Sequence, residues 1–167
     1  MVDTISSARA AAEADNVPLL RTIFDAHGSA VCGSKHPDDL TTLHFAAAAG
    51  SLKAVCFLLS DAVGADVNAA RNNNFTPLHA AAMSGQSEVC RVLLEMGALP
   101  NVQTAPQGYV PLHSAAWAGH TDAIEVLLRA GARTDLLNYR GETPAQTALR
   151  QGESDAANRL LAERRPG

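Results

Sequence analysis

The chain has 167 residues, of which 47% are hydrophobic and 18% are charged. This composition suits a single domain over residues 1–167 that is large enough to bury its own core. The formal net charge is −4, so the overall field repels polyphosphates and we expect no nucleic-acid partner.

The first predicted unit, residues 6–30, is rich in alanine. It has small residues at Ala11 and Ala12 and a large apolar residue at Leu20, but Asp15 stands where each later unit has a glycine. The segment is therefore a weak copy of the pattern that follows. A degenerate copy is what the end unit of an array requires, because one of its faces meets water.

Three closer copies occupy residues 38–68, 69–101 and 102–134. Their central letters are TTLHFAAAAGSLKAVCFLL, TPLHAAAMSGQSEVCRVLL and VPLHSAAWAGHTDAIEVLL. The histidine of each copy recurs after 35 and then 34 residues, at His44, His79 and His113. A period of this length indicates a solenoid of stacked helical units.

The third unit shows how individual residues predict where its helices begin and end. Thr76 is suited to cap a helix and Pro77 to occupy its first turn, where a missing N–H costs nothing. Gly85 is predicted to end this helix in a left-handed conformation. A second helix follows, with Cys90 and Leu93 on its buried stripe. Such short helices need each other and the next unit for stability.

The fifth unit, residues 135–165, is again a weaker copy. Gln146 replaces the histidine and Leu149 replaces an alanine. We expect Leu160 and Leu161 to close the C-terminal end of the core, at about 2–5 kcal/mol for each buried leucine.

The TPLH-x-AA-x-x-G pattern, followed by LL-x-x-GA, resembles the ankyrin repeat from about Ser6 to Leu161. The resemblance implies an all-α, ankyrin-repeat solenoid of about five helix-turn-helix units with β-hairpin-like loops. Val110 departs from the pattern because it replaces the capping threonine, which predicts a cost of about 1 kcal/mol. Asn74 and Asp39 replace the hairpin glycine and tolerate the left-handed region.

Metal and catalytic chemistry are not favoured. Equivalent histidines of stacked units lie about 8–10 Å apart, too far to share a zinc ion. His27, Cys32 and His36 have loose ligand-like spacing but lack a fourth ligand. No phosphate-binding glycine loop or nucleophile motif is present, so we expect a non-catalytic protein with no metal and no cofactor.

Three cysteines are too few for a disulfide framework, which favours a reducing compartment. Cys90 is predicted to be a core thiol and Cys56 a more exposed one. No segment is long and apolar enough to span a membrane, so the sequence predicts a cytoplasmic protein, with the nucleus as the alternative. Asn68 and Asn101 are interpreted as hairpin residues that bond the backbone, although the resemblance also allows hydroxylation there.

The residues that do not repeat predict a binding surface. On a helix, Met83 lies well round from the buried Leu78 and faces the groove. Four of the seven aromatic residues fall at hairpin tips or on the exposed side of a first helix. The predicted partner-binding residues are Arg71, Asn72, Asn73, Phe75, Met83, Ser84, Gln107, Tyr109, Trp117, Ala118, Tyr139, Arg140, Glu142 and Arg150.

Exposed aromatics beside arginines are typical of interface hot spots. We expect Phe75, Tyr109 and Trp117 to form an apolar ridge flanked by arginines, although rings that only stiffen the array are the alternative. The predicted function is a monomeric adaptor or scaffold that binds a protein partner. The alternative is a stoichiometric inhibitor or regulator of an enzyme such as a protein kinase.

Overall fold

The computed structural model describes residues 2–28, Val31 and 40–163. Within these residues the chain forms ten helices and no strands, so the all-α repeat fold is confirmed. The helices, numbered α1 to α10 in chain order, are Val2–Glu13, Val17–His27, Thr42–Ala49, Leu52–Leu59, Pro77–Met83, Ser87–Glu95, Pro111–Trp117, Thr121–Arg129, Pro144–Gln151 and Ser154–Ala162.

The helices pair along the chain, and the pairs stack. The first helix of each pair packs on the first helix of the next pair, and the second helices do the same. Fully buried alanines, such as Ala81 and Ala116, lie on the first helices. Their small side chains let neighbouring helices approach closely, and leucines of the second helices fill the rest of the core.

The predicted start of α5 is confirmed. The hydroxyl of Thr76 accepts a hydrogen bond from the backbone N–H of His79, and Pro77 occupies the first turn. The Nδ1 atom of His79 in turn accepts the backbone N–H of Thr76 at 3.2 Å. Each end of this reciprocal cap satisfies a donor that the first helical turn leaves unpaired.

The histidines also join one unit to the next, a contact that the spacing of the repeat does not predict. Because Nδ1 of His79 accepts a hydrogen bond, its proton sits on Nε2, which donates to the carbonyl of Tyr109 at 3.1 Å. His44 contacts the Phe75 carbonyl at 3.0 Å in the same way, and His113 contacts that of Glu142 at 3.0 Å. Hydrogen bonds from three buried imidazoles therefore connect the second to fifth units.

Left-handed backbone lies where the pattern predicts it. Gly85 has φ +71°, and a Cβ at this glycine would lie 2.7 Å from Nδ1 of His120 in the next unit. Asn74 has φ 62° and Asp15 has φ 53°. The Asp15 carboxylate also accepts the backbone N–H of Ala54 at 2.7 Å, which ties the first unit to the second. Asp39 lies outside the described residues.

Val110 and Leu161 each add to or depart from what the repeat predicts. Val110 precedes α7 and provides no side-chain cap, as expected, and it is also 0% exposed, so it packs in the core. Its burial offsets the predicted cost of the missing hydroxyl. Leu160 is 0% exposed as expected, but Leu161 is 43% exposed, so the expectation that Leu161 closes the core is wrong. Leu160 packs there with Ala156 and Ala157.

Candidate protein-binding groove

Neighbouring hairpin loops are held together by their backbones. The N–H of Ala105 donates to the carbonyl of Asn73 at 2.8 Å, and the N–H of Tyr139 donates to the carbonyl of Gln107 at 2.8 Å. Hydrogen bonds from His44 and His79 also hold these loops, through the backbone carbonyls of Phe75 and Tyr109. The loops of the third to fifth units thus form a rigid wall beside the first helices.

A pocket of about 320 Å³ lies between this wall and α5 and α7. Its volume is at the lower end of the range seen for ligand-binding clefts. Its lining combines three aromatic residues and one methionine with four residues that carry amide or hydroxyl groups, and consists of Asn73, Phe75, Met83, Thr104, Gln107, Tyr109, Ser114 and Trp117. We call this feature the aromatic pocket.

The exposed apolar side chains of the aromatic pocket come from α5 and α7. Met83 is 44% exposed and Trp117 is 48% exposed. Each is the last residue of its helix and lines the aromatic pocket. Large apolar side chains that meet solvent beside a concave surface are the usual composition of an interface core.

Phe75 and Tyr109 are only partly exposed, which corrects the predicted ridge. The ring centroid of Phe75 lies 5.3 Å from that of His79, and the ring of Tyr109 packs edge-on against His113 at 5.6 Å. Tyr109 also contacts Tyr139, at 6.2 Å between ring centroids. These rings form walls of a concavity and stiffen the array at the same time.

The fifth unit supplies charged groups beside the pocket. Nε of Arg140 donates to the Tyr139 hydroxyl at 2.6 Å, and the guanidinium stacks on that ring. Arg150 instead pairs with Glu142 at 2.9 Å. A hydrogen bond from Asn138, followed by the charge of Arg150, lowers the pKa of the Glu142 carboxyl. Glu142 and Arg150 therefore neutralise each other, whereas Arg140 bonds the Tyr139 hydroxyl.

The predicted binding residues divide into two groups. Six of them line the aromatic pocket together, and the others lie around it on the tips and helix ends. Sequence reasoning missed two lining residues, Thr104 and Ser114. Ser114 could have been found, because it stands where the preceding units have Phe45 and Ala80 and is thus a variable position of the first helix. Thr104 makes the same backbone hairpin bond as Arg71 and Asn138, but its loop is one residue longer, so the sequence repeat does not align them.

A second groove of about 310 Å³ lies on the opposite side, between α6 and α8. Leu94 and Val126 form its apolar floor, and Arg91 and Arg129 lie at its edge. Both arginines are paired within their own helices, Arg91 with Glu88 at 2.5 Å and Arg129 with a glutamate at 2.9 Å. The charges around this groove are therefore largely compensated.

The metal site considered from the sequence has no counterpart among the described residues. Among the described residues, no three His, Cys, Asp or Glu side chains come together as a metal site would require. Cys32 and His36 lie outside the described residues.

Cys90 is buried, which raises the pKa of its thiol to about 12, and Cys56 is exposed. In the described part of the chain, none of the helices has the length and apolar character needed to cross a membrane.

The hairpin asparagines bond the backbone as interpreted. The amide of Asn68 donates to the carbonyl of Gly97 at 3.2 Å and accepts the N–H of Leu99 at 2.9 Å. Asn101 makes the equivalent pair with Gly131 at 3.3 Å and Arg133 at 2.8 Å. Both ends of each amide are therefore engaged in joining one unit to the next.

Stacked helix pairs, projecting loops and a concave apolar surface define a helical repeat protein of the protein-interaction class. A family model described as ankyrin repeats (3 copies) matches residues 8–104 and 98–166. The chain belongs to the ankyrin repeat family.

Two curated relatives are also similar to part of the chain. Both are called protein phosphatase 1 regulatory subunit 27, one from Mus musculus and one from Homo sapiens. Each is 36% identical over 63 residues, which is 38% of this chain and 40% of the relative. The match thus spans less than half of each relative's length.

Proposed function

We propose that this chain is a non-catalytic adaptor or scaffold that binds a protein partner through the aromatic pocket. The proposal rests on the pocket itself, where the exposed side chains of Met83 and Trp117 line an apolar concavity of about 320 Å³. Burying such side chains against a partner releases water from apolar surface, and aromatic residues in this setting dominate binding energy.

The charges beside the pocket favour a partner with acidic groups. Arg140 lies beside Tyr139 and interacts with the charge of Glu142, which pairs directly with Arg150, so two arginines share one carboxylate. Arg71 lies on the hairpin that carries Phe75. The complementary partner surface is an apolar patch rimmed by carboxylates, whose charges would speed association and fix orientation.

The test compares capture by variants rather than capture alone. Proteins retained by the immobilised wild-type chain are identified by mass spectrometry, and the capture is repeated with Trp117→Ala and with Lys53→Ala. Trp117→Ala removes an exposed wall of the pocket, so we expect at least about tenfold weaker binding. Lys53 is exposed on α4, away from the pocket, and its loss should leave binding unchanged.

The opposite pattern would refute the assignment. A partner that binds Trp117→Ala normally but loses affinity for Lys53→Ala occupies the outer face of the second helices. Tyr109→Ala is a second probe, with an expected loss of similar size. Its stability must be measured alongside, because Tyr109 also packs on His113 and Tyr139.

Regulation of an enzyme is the second candidate function, and the name of the relatives favours a phosphatase over a kinase as that enzyme. The two functions differ in a titration. A regulator changes the activity of a purified protein phosphatase catalytic subunit and reaches its full effect near a one-to-one ratio. An adaptor leaves that activity unchanged, and a constant activity across the titration would exclude direct regulation of that phosphatase.

A further inference from the structure

The indole of Trp117 is anchored at its polar edge although half of the side chain is exposed. The Gln151 amide oxygen faces two neighbouring donors. It accepts one hydrogen bond from Nε1 of Trp117 at 3.0 Å and another from Nη1 of Arg150 at 2.9 Å. The opposite orientation would set the amide nitrogen against these donors, and the hydrogen-bond network therefore assigns the oxygen. Gln151 thus joins the fourth unit to the fifth.

The anchor continues into the core of the array. Arg150 donates through Nε to Glu142 at 2.9 Å, and Glu142 accepts the amide of the buried Asn138 at 3.1 Å. The backbone carbonyl of Glu142 is the acceptor for His113. The indole edge is consequently linked to the rigid scaffold rather than to a mobile surface chain.

We propose that Gln151 is a positioning residue that presets Trp117 for partner binding. It turns the indole N–H toward the fifth unit and leaves the apolar ring surface facing the aromatic pocket. A partner then meets a ring that is already ordered and has no unsatisfied polar group. Ordering a free side chain at an interface lowers affinity by roughly two- to tenfold, and the anchored indole avoids this loss.

The consequence for binding rests on the proposed function, but the anchor is measurable on the isolated chain. The sequence contains one tryptophan, so its single indole N–H resonance and all indole fluorescence report on Trp117. Gln151→Leu removes the acceptor at an exposed position, while Gln151→Glu retains an acceptor oxygen and the contact with Arg150. Asn158→Ala, an exposed amide on α10, is the control.

The experiment is heteronuclear NMR of the indole, with fluorescence anisotropy decay as the second measurement. We expect Gln151→Leu to speed indole proton exchange with water by about fivefold, since one hydrogen bond contributes roughly a factor of two to ten. The leucine variant should also increase ring mobility. Gln151→Glu should restore the wild-type signal, and Asn158→Ala should not alter it.

An unchanged indole resonance and exchange rate in Gln151→Leu would overturn the proposal, as would failure of Gln151→Glu to restore them. Gln151→Ala is a second variant that also lacks the acceptor. Thermal unfolding followed by circular dichroism confirms that the array is folded in each case. Because no partner is present, these outcomes are separate from the success or failure of the capture experiment.

Discussion

Acidification should destabilise the array through its buried histidines, and His79 gives the sharpest prediction. Burial lowers the pKa of His79 from 6.5 to about 4, an effect that its hydrogen bond to the Tyr109 carbonyl only partly opposes. A second proton would have to sit on Nδ1, which already accepts the backbone N–H of Thr76. The folded chain therefore holds this ring neutral.

The sign and size of the change in stability follow from the linkage between protonation and folding. The unfolded chain binds the proton first because its histidine pKa is higher, so the stabilisation is present above pH 6.5 and is lost as the pH falls toward 4. One pKa unit corresponds to about 1.4 kcal/mol, and the loss between pH 7 and pH 5 is roughly 2 kcal/mol from His79 alone. Burial also lowers the pKa of His113, which acts in the same direction.

The assay is urea unfolding of the wild type and His79→Gln at pH 7 and pH 5. Glutamine is a suitable replacement because Gln146 accepts the N–H of Thr143 at 2.8 Å in the equivalent place of the fifth unit. The variant should lose about 2 kcal/mol less than the wild type on acidification. His27→Gln, at an exposed position, should behave as the wild type does.

If the wild type and His79→Gln lost equal stability between these pH values, His79 would not be the buried neutral group described above. Equal losses in His79→Gln and His27→Gln would lead to the same conclusion. The pH range lies above the ordinary range of carboxyl groups, so their protonation contributes little to the comparison.

Further predictions concern packing and backbone conformation, and urea midpoints measure each of them. Leu160→Ala should lower stability by about 2–5 kcal/mol and the exposed Leu161→Ala by less than about 1 kcal/mol; equal effects would contradict the described end of the core. Val110→Thr should change stability by less than about 1 kcal/mol, because a methyl group leaves the core while a hydroxyl gains a capping partner, and a large loss would mean that the hydroxyl stays unsatisfied. Gly85→Ala should cost more than Gly131→Ala, since both have positive φ but only the first would meet a neighbouring ring; similar losses would show that backbone strain alone matters.

Local sequence was sufficient wherever a residue acts within its own unit. Thr76 and Pro77 start α5 because a cap and a fixed φ act over one helical turn. Asn74 adopts positive φ because its own side chain tolerates that region. These features, together with the period, predicted helix pairs and five units without knowledge of any tertiary contact.

Contacts between units were not predictable in the same way. Leu161 follows the repeat pattern, yet its exposure depends on whether another unit covers it, and its own sequence does not contain that information. The lost cap at Val110 was predictable, but its complete burial was not. Nor could spacing show that Nε2 of His79 reaches the Tyr109 carbonyl, since the distance depends on how closely two units stack.

The sequence by itself determined the repeat, the start of α5 and the set of variable residues, because these depend on short-range conformational preferences and a regular period. Only the tertiary structure decided that six of those residues share one pocket and that Phe75 and Tyr109 form its walls instead of a ridge. It also placed Gln151 against the edge of Trp117. The physical reason is that concavity and burial arise from the separation and rotation of successive units, which are set by packing across many side chains at once.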